Sequence, residues 1–587
     1  MASVDEIFKN SGLPSKRRLD PIRDPNEIYK SAKLDSRGPN RHAQVEDADD
    51  DIEAGPALPP DGEEEYGPSI PIDEEKGDDE EGRFFGGGIS KQESEILDFV
   101  EGADNGREQD KIDGSWLRRT ALNFEKHIAK NAELRAKFES EPQKFIASEA
   151  DLDADIKALS ILAEHPELFP DFASLGCVGS LVSLLAHENT DIAIDAIEII
   201  GELTDEDVVA EDAQWNALVD ALLDADLLSL IVSNFSRLNE EDEADRSGVY
   251  FSLGVIENLC SRSAVATRIG QEDKLVHWLL DRIQRKELAI SQNKQYAAEI
   301  LAILSQASAE NRNKLIKLDA IDKMLQLVAS YLRRDPEKGS EEEEYMENLF
   351  EALTCLADEP EGKTKFIEAE GIELCLLLFK GGKMSRSPAL RLLDHATASK
   401  TGTEVCEKLV DAGGLKGTFT LFMKSQDHRL LSHLLNIFAS MLRLLPANSA
   451  ERIRLLAKFV EKDYEKLRKL TKLRHEYSRQ IKQAEEKNKQ ERLSSMEEDR
   501  EELEIEWLSR RHDAGLFILQ AIDVILAWLS AEDGGASRRI KQLLAERDET
   551  MAVIKATLTE QLEALDAEEE DGRDLKDMLG TLVELLR

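Results

Sequence analysis

Three glutamates stand five residues ahead of a leucine: Glu198 before Leu203 in DIAIDAIEIIGELTD, Glu299 before Leu304 in KQYAAEILAILSQ, and Glu351 before Leu356 in MENLFEALTCLAD. A fourth segment, VYFSLGVIENLC, carries Gly254 at that place and Asn258 next to its leucine, where the first segment carries Glu202. Carboxylates in a row attract ammonium and guanidinium groups through charge-assisted contacts. That is binding chemistry. Bond-breaking chemistry would need a nucleophile beside a base, and His395 in LLDHAT and His512 in SRRHDAG have neither a neighbouring nucleophile nor metal-ligand spacing. Cys177, Cys260, Cys355, Cys375 and Cys406 form no CxxC pair and lie in or beside apolar stretches. They read as buried free thiols in a reducing compartment, with no zinc site. No phosphate-cradling glycine loop is present. The chain is expected to be non-catalytic and to use no metal or cofactor.

Helices must position those side chains. From Trp116 onward Leu, Ala, Glu and Lys dominate, and apolar residues recur three and four apart. One apolar pattern returns six times, in GCVGSLVSLL, ADLLSLIVSNF, DKLVHWLLDRI, AIDKMLQLVA, GIELCLLLF and GLKGTFTLF. Its first apolar positions are Val178, Leu227, Leu275, Ile321, Ile372 and Leu415, which are 49, 48, 46, 51 and 43 residues apart. That is near the ~40–47-residue armadillo/HEAT period. In the first four instances a second amphipathic helix follows, and these second helices are the segments that hold the glutamates. Helix pairs at this period cannot bury their faces alone. Stacked, they share one elongated core and form a right-handed all-α solenoid with a groove. The glutamates then form a column along that groove.

Charge divides the chain. Residues 1–45 hold nine Lys/Arg against six acids, whereas residues 46–113 hold 25 acids against five Lys/Arg. The chain as a whole carries -45, so residues 114–587 carry about -28, a surface that repels nucleic acid and favours basic partners. Disorder is expected over 1–113, where little apolar area offsets ordering entropy. Lys16, Arg17 and Arg18 form a candidate nuclear-localisation cluster, and Phe84 and Phe85 ahead of three glycines form a candidate docking motif or spacer. A helical cap is expected over 114–172, about six repeats over 173–448, and a helical region over 449–587. That last region contains a long charged helix or helical hairpin, open to a coiled-coil contact, and capping helices. The apolar stretch 514–531 contains Gln520 and Asp523 and reads as a buried helix rather than a membrane span. A homodimer is possible in this arrangement.

Several strings resemble the beta-catenin-like protein 1 family. They are NFEKHIAKNAELRAKF, PQKFIASEADLDADI, NTDIAIDAIEIIGELTD, YMENLFEAL, MSRSPALRLLDHA and RRHDAGLFILQAIDVI; EGRFFGGG is similar to fungal and plant members. The resemblance implies a nuclear armadillo protein of the spliceosome-associated NineTeen complex. It also implies binding to nuclear-localisation-type basic segments of splicing factors, notably the Myb-like core protein of that complex. Armadillo proteins that clamp extended peptides place Trp and Asn in the two columns read above. Here only Asn258 fits, and glutamates replace the rest. The candidate groove is Glu198, Glu202, Asn258, Glu299 and Glu351. A nuclear import adaptor of karyopherin-α type is the competing expectation.

Overall fold

A computed structural model of the protein describes residues 111–381, 383–494, 500–565 and 570–586. The basic cluster at 16–18, the two phenylalanines at 84 and 85, and nearly all of the acidic segment lie outside the described residues. Within the described residues there are 26 α-helices and no strand.

Helices α1 (Gly114–Lys137) and α2 (Ile146–Ala158) come first. Asp113 opens α1 by accepting from the amides of Ser115 and Trp116 at 2.9 and 3.1 Å, so two otherwise orphaned donors are satisfied. Six units of three helices follow. The first is α3 (Phe169–Ser174), α4 (Cys177–Ser183) and α5 (Thr190–Thr204). The second is α6 (Asp212–Asp224), α7 (Leu227–Arg237) and α8 (Glu243–Leu259). The third is α9 (Ser263–Gly270), α10 (Asp273–Gln284) and α11 (Gln292–Ala307). The fourth is α12 (Ala309–Lys317), α13 (Ala320–Val328) and α14 (Glu341–Leu356). The fifth is α15 (Pro360–Glu368), α16 (Gly371–Gly381) and α17 (Arg386–Thr397). The sixth is α18 (Thr403–Asp411), α19 (Gly414–Lys424) and α20 (His428–Leu444). The sequence pattern registers only two helices per unit. The first helix of most units is short, and its few apolar residues do not form a visible period.

Local chemistry explains the three-part unit. In five units the corner between first and second helix turns on a left-handed residue: Gly176, Asp226, Asp319, Glu370 or Gly413, with φ between 56° and 79°. Glycine adopts that conformation without steric cost, and aspartate tolerates it better than most residues. Side chains then cap the third helix. Asn189, Asp242, Ser291, Ser340 and Asp427 each accept from a first-turn amide, whereas Ser385 in the fifth unit makes no such bond.

The third helices stack on one another in order, with α2 packed on α5 ahead of them. Between neighbours, buried carboxamides meet backbone carbonyls. Asn234 donates to the carbonyl of Leu185 at 2.8 Å, and Asn311 donates to those of Ala266 and Leu304 at 3.1 Å. One apolar cluster runs from Leu117 to Leu586.

The stack does not end at α20. Beyond it lie α21 (Ala450–Ser494), α22 (Arg500–Asp513), α23 (Leu516–Glu532), α24 (Gly534–Ala545), α25 (Met551–Ala564) and α26 (Glu570–Leu585). The apolar helix α23 packs on α20 and supplies a seventh rung. The backbone of α21 breaks at Glu461–Tyr464, where Lys462, Asp463 and Tyr464 are left-handed. Its distal part pairs with α22 as a hairpin, because Asn488 donates to the carbonyl of Trp507 at 3.1 Å and Arg510 donates to Asn488 and Glu491 at 2.8 and 2.7 Å. A buried ion pair ties hairpin to stack: Arg474 meets Asp523 of α23 at 2.8 Å and Glu549 at 3.2 Å.

Candidate functional site

The side of each third helix turned away from the core forms a continuous face, and spacings of three and four residues define it. On α5 it carries Asp191, Asp195, Glu198 and Glu202. On α8 it carries Glu243, Tyr250, Gly254 and Glu257, and on α11 Glu299, Ile303 and Gln306. On α14 it carries Glu344, Glu347 and Glu351, on α17 Arg391 and His395, and on α20 Arg429, His433, Asn436 and Arg443. Apolar residues at the complementary positions, such as Ile197, Leu253, Leu301, Leu349, Leu393 and Leu434, are buried. Helical period thus places these carboxylates of the first four rungs on the same side.

Glu198, Glu299 and Glu351 all lie on this face, and Glu202 is exposed beside Glu198. Their surroundings differ. Glu299 accepts from Gln295 at 2.8 Å and Glu351 accepts from Gln306, which lies one rung back. Burial holds the Glu351 carboxyl above the usual carboxylate range, opposed by Arg391. Glu198 is raised by burial and then by the neighbouring charge of Glu202. Asn258 is placed differently. Its amide donates to the carbonyl of Gly201 at 3.0 Å and to Thr204 at 3.4 Å, so it ties α8 to α5 rather than leaving both donors open to a ligand.

The helix-end alignment on leucine leaves out several carboxylates on the same face. Asp195 sits against Asp153 and Lys157 of α2. Burial first, and the hydrogen bond with Asp153 second, push its carboxyl up to about 7. Glu347 is raised by burial and by Glu343. Glu257 accepts from the hydroxyl of Tyr296, whose ring lies 5.2 Å from that of Tyr250. The signal for these residues was present as a three-and-four spacing of acids through DIAIDAIE and EEEEYMENLFE. Single columns miss it.

Past the fourth rung the chemistry changes. Asp394 is mostly buried and accepts from His433 at 2.9 Å and Asn436 at 3.1 Å. Burial lowers the His395 imidazole, which favours its neutral form. All five cysteines are buried free thiols. Burial pushes Cys177, Cys260, Cys355 and Cys406 up to about 12 and Cys375 higher still. They are protonated and unreactive at neutral pH. Among the described residues no group of His, Cys, Asp and Glu is arranged to hold a metal ion, and no single helix is long and apolar enough to cross a membrane.

Three-helix units, stacked through their third helices over one core, define an all-α solenoid of the armadillo type. A family model described as "Catenin-beta-like, Arm-motif containing nuclear" matches residues 94–559, and the chain belongs to that family. The Beta-catenin-like protein 1 homolog of Schizosaccharomyces pombe is 41% identical over 470 residues, which are 80% of this chain and 82% of that protein. Beta-catenin-like protein 1 of Mus musculus is 37% identical and that of Homo sapiens 36%, each over 77% of this chain and 82% of the relative. Among solved structures, the "Designed armadillo repeat protein YIII(Dq)4CqI" aligns with a TM-score of 0.35 at 17% identity, over 45% of this chain and 99% of that one.

Proposed function

We propose that the protein is a non-catalytic nuclear scaffold that captures Lys/Arg-rich, nuclear-localisation-like segments of splicing factors on the third-helix face, as part of the spliceosome-associated NineTeen complex. One observation carries the binding reading: across four successive rungs the solvent side of the third helices presents Asp191, Asp195, Glu198, Glu202, Glu257, Glu299, Glu344, Glu347 and Glu351. Burial first, and neighbouring acids after it, raise the carboxyls of Asp195, Glu198 and Glu347, while burial alone raises Glu351 against the opposing charge of Arg391. A cationic ligand relieves that repulsion. The family description supports the nuclear setting, and the resemblance to the beta-catenin-like protein 1 family supports the splicing setting and the Myb-like partner.

Fluorescence anisotropy of an eight-residue Lys/Arg peptide against the full chain tests the binding reading. Affinity should fall steeply between 50 and 300 mM salt, as expected for exposed charges beyond a Debye length of ~10 Å or less. The triple variant E198Q/E299Q/E347Q should weaken binding at least tenfold while leaving the thermal midpoint nearly unchanged. Equal affinity for the variant would remove the face from the mechanism. Affinity purification from nuclear extract with the same variant as control tests the splicing assignment. Splicing factors recovered equally by both proteins, or by neither, would overturn it.

A further inference from the structure

The third-helix face reverses its charge along the stack. Its first four rungs present carboxylates, and its fifth and sixth rungs present Arg391, Arg429 and Arg443 with no exposed acid on the same line. Asp394, the one carboxylate there, is 9% exposed and already accepts from His433 and Asn436. Arg391 stands at the seam. It lies close enough to Glu347 and Glu351 to oppose their raised carboxyls, yet its Nε is buried without a hydrogen-bond partner. A second observation points the same way. At this end an acid of the chain's own C-terminal helix is already engaged: Asp574 of α26 meets Lys400 at 2.8 Å and is held below the usual carboxylate range by Lys400, Arg443 and Arg573.

We infer that this face takes a two-signed segment of a partner, with its basic block on rungs α5 to α14 and an acidic block on rungs α17 to α20. The inference rests on the binding reading above and adds a direction to it. A uniformly acidic face holds a basic segment in either orientation and at any register, because charge alone does not read chain direction. A face with opposite ends does. One orientation pairs both blocks, and the other sets like charges against each other at both ends. Stacked helices are ~8–10 Å apart, so the three rung spacings from midway between α8 and α11 to midway between α17 and α20 span about 30 Å. An extended chain covers ~3.3 Å per residue, which puts about nine residues between the two block centres.

Three fluorescent peptides test this against the full chain at 50 mM salt. One is the eight-residue Lys/Arg block alone. The others carry four glutamates beyond a Gly/Ser spacer, once at the C-terminal side and once at the N-terminal side, with block centres about nine residues apart. One order should bind roughly three- to tenfold tighter than the basic block alone, and the opposite order no tighter than it. The variant R391Q/R429Q should remove that gain and leave affinity for the basic block within about twofold. The inference is overturned if both orders gain equally, if neither gains, or if the gain survives in the variant. Failure of the basic block itself to bind would instead overturn the binding reading. The two failures are therefore read from different peptides.

Discussion

Asp195 and Asp523 show how the same residue type serves two purposes in one fold. Asp195 faces solvent beside Asp153 and is raised to about 7. Its folded-state pKa lies above the ordinary value, so the folded chain holds the proton more tightly between those two values. Stability is therefore lost as pH rises toward and through 7. Asp195→Asn should stabilise by about 1 kcal/mol at pH 8, after allowing for solvent screening at this partly exposed site, and by much less at pH 5. Urea melts at the two pH values check this, and equal gains would contradict it. On the proposed binding reading, the same raised carboxyls make peptide affinity pH-dependent. A cation favours their ionised forms, so the peptide releases protons on binding, and its affinity should rise from pH 5.5 to pH 8. Asp523, by contrast, is wholly buried against Arg474. Asp523→Ala leaves the buried Arg474 guanidinium with Glu549 as its remaining carboxylate and should cost ~3 kcal/mol, whereas the double change with Arg474→Met should recover most of the loss. Denaturant midpoints of the single and double variants decide between the two outcomes.

The third helix of each unit carries the stack and the proposed binding face, and its start is chemically defined. Asp427 accepts from the amides of Arg429 and Leu430 at 2.8 and 3.2 Å. Replacing it with Ala should lower stability by ~1 kcal/mol. Ser385 stands at the matching place in the fifth unit, but its buried hydroxyl has no partner. Ser385→Ala should therefore be neutral or slightly stabilising, since an unsatisfied buried hydroxyl is a cost. Thermal melts of the two variants should move in different directions. The caps were legible in the chain as Asn, Asp or Ser ahead of each amphipathic run. The left-handed corners at Asp226, Asp319 and Glu370 were not, because none of these residue types demands that conformation and packing imposes it.

As a whole molecule the protein is a stack with no natural end at its sixth unit. Rung α23 continues the third-helix series after the excursion of α21 and α22. Around it, Arg452 pairs with Glu532, donates to the carbonyl of Leu445 at 2.7 Å and lies over the Trp528 ring. A chain ended at residue 449 would expose the face of α20 that α23 covers. It should aggregate or melt well below the full chain by light scattering and circular dichroism. A well-folded monomer of that length would show the seventh rung to be dispensable.

Composition and period settled much of this in advance. Six recurrences near the armadillo spacing require a stacked helical array, because helices of that length cannot bury an apolar face alone. Net charge requires that the array's surface be acidic. The leucine-aligned glutamates of the first, third and fourth units landed on one face because helical period is a local property. What neighbouring helices do to those residues is not local. Asn258 is spent on the carbonyl of Gly201, Glu351 is half-sheltered by Gln306 and Arg391, and Asp195 meets Asp153 from a helix some forty residues earlier. The change of sign at α17 is likewise written in the chain as Arg391, Arg429 and Arg443. Only stacking brings those residues onto the line that begins with Asp191, because their order in space follows from which helices touch.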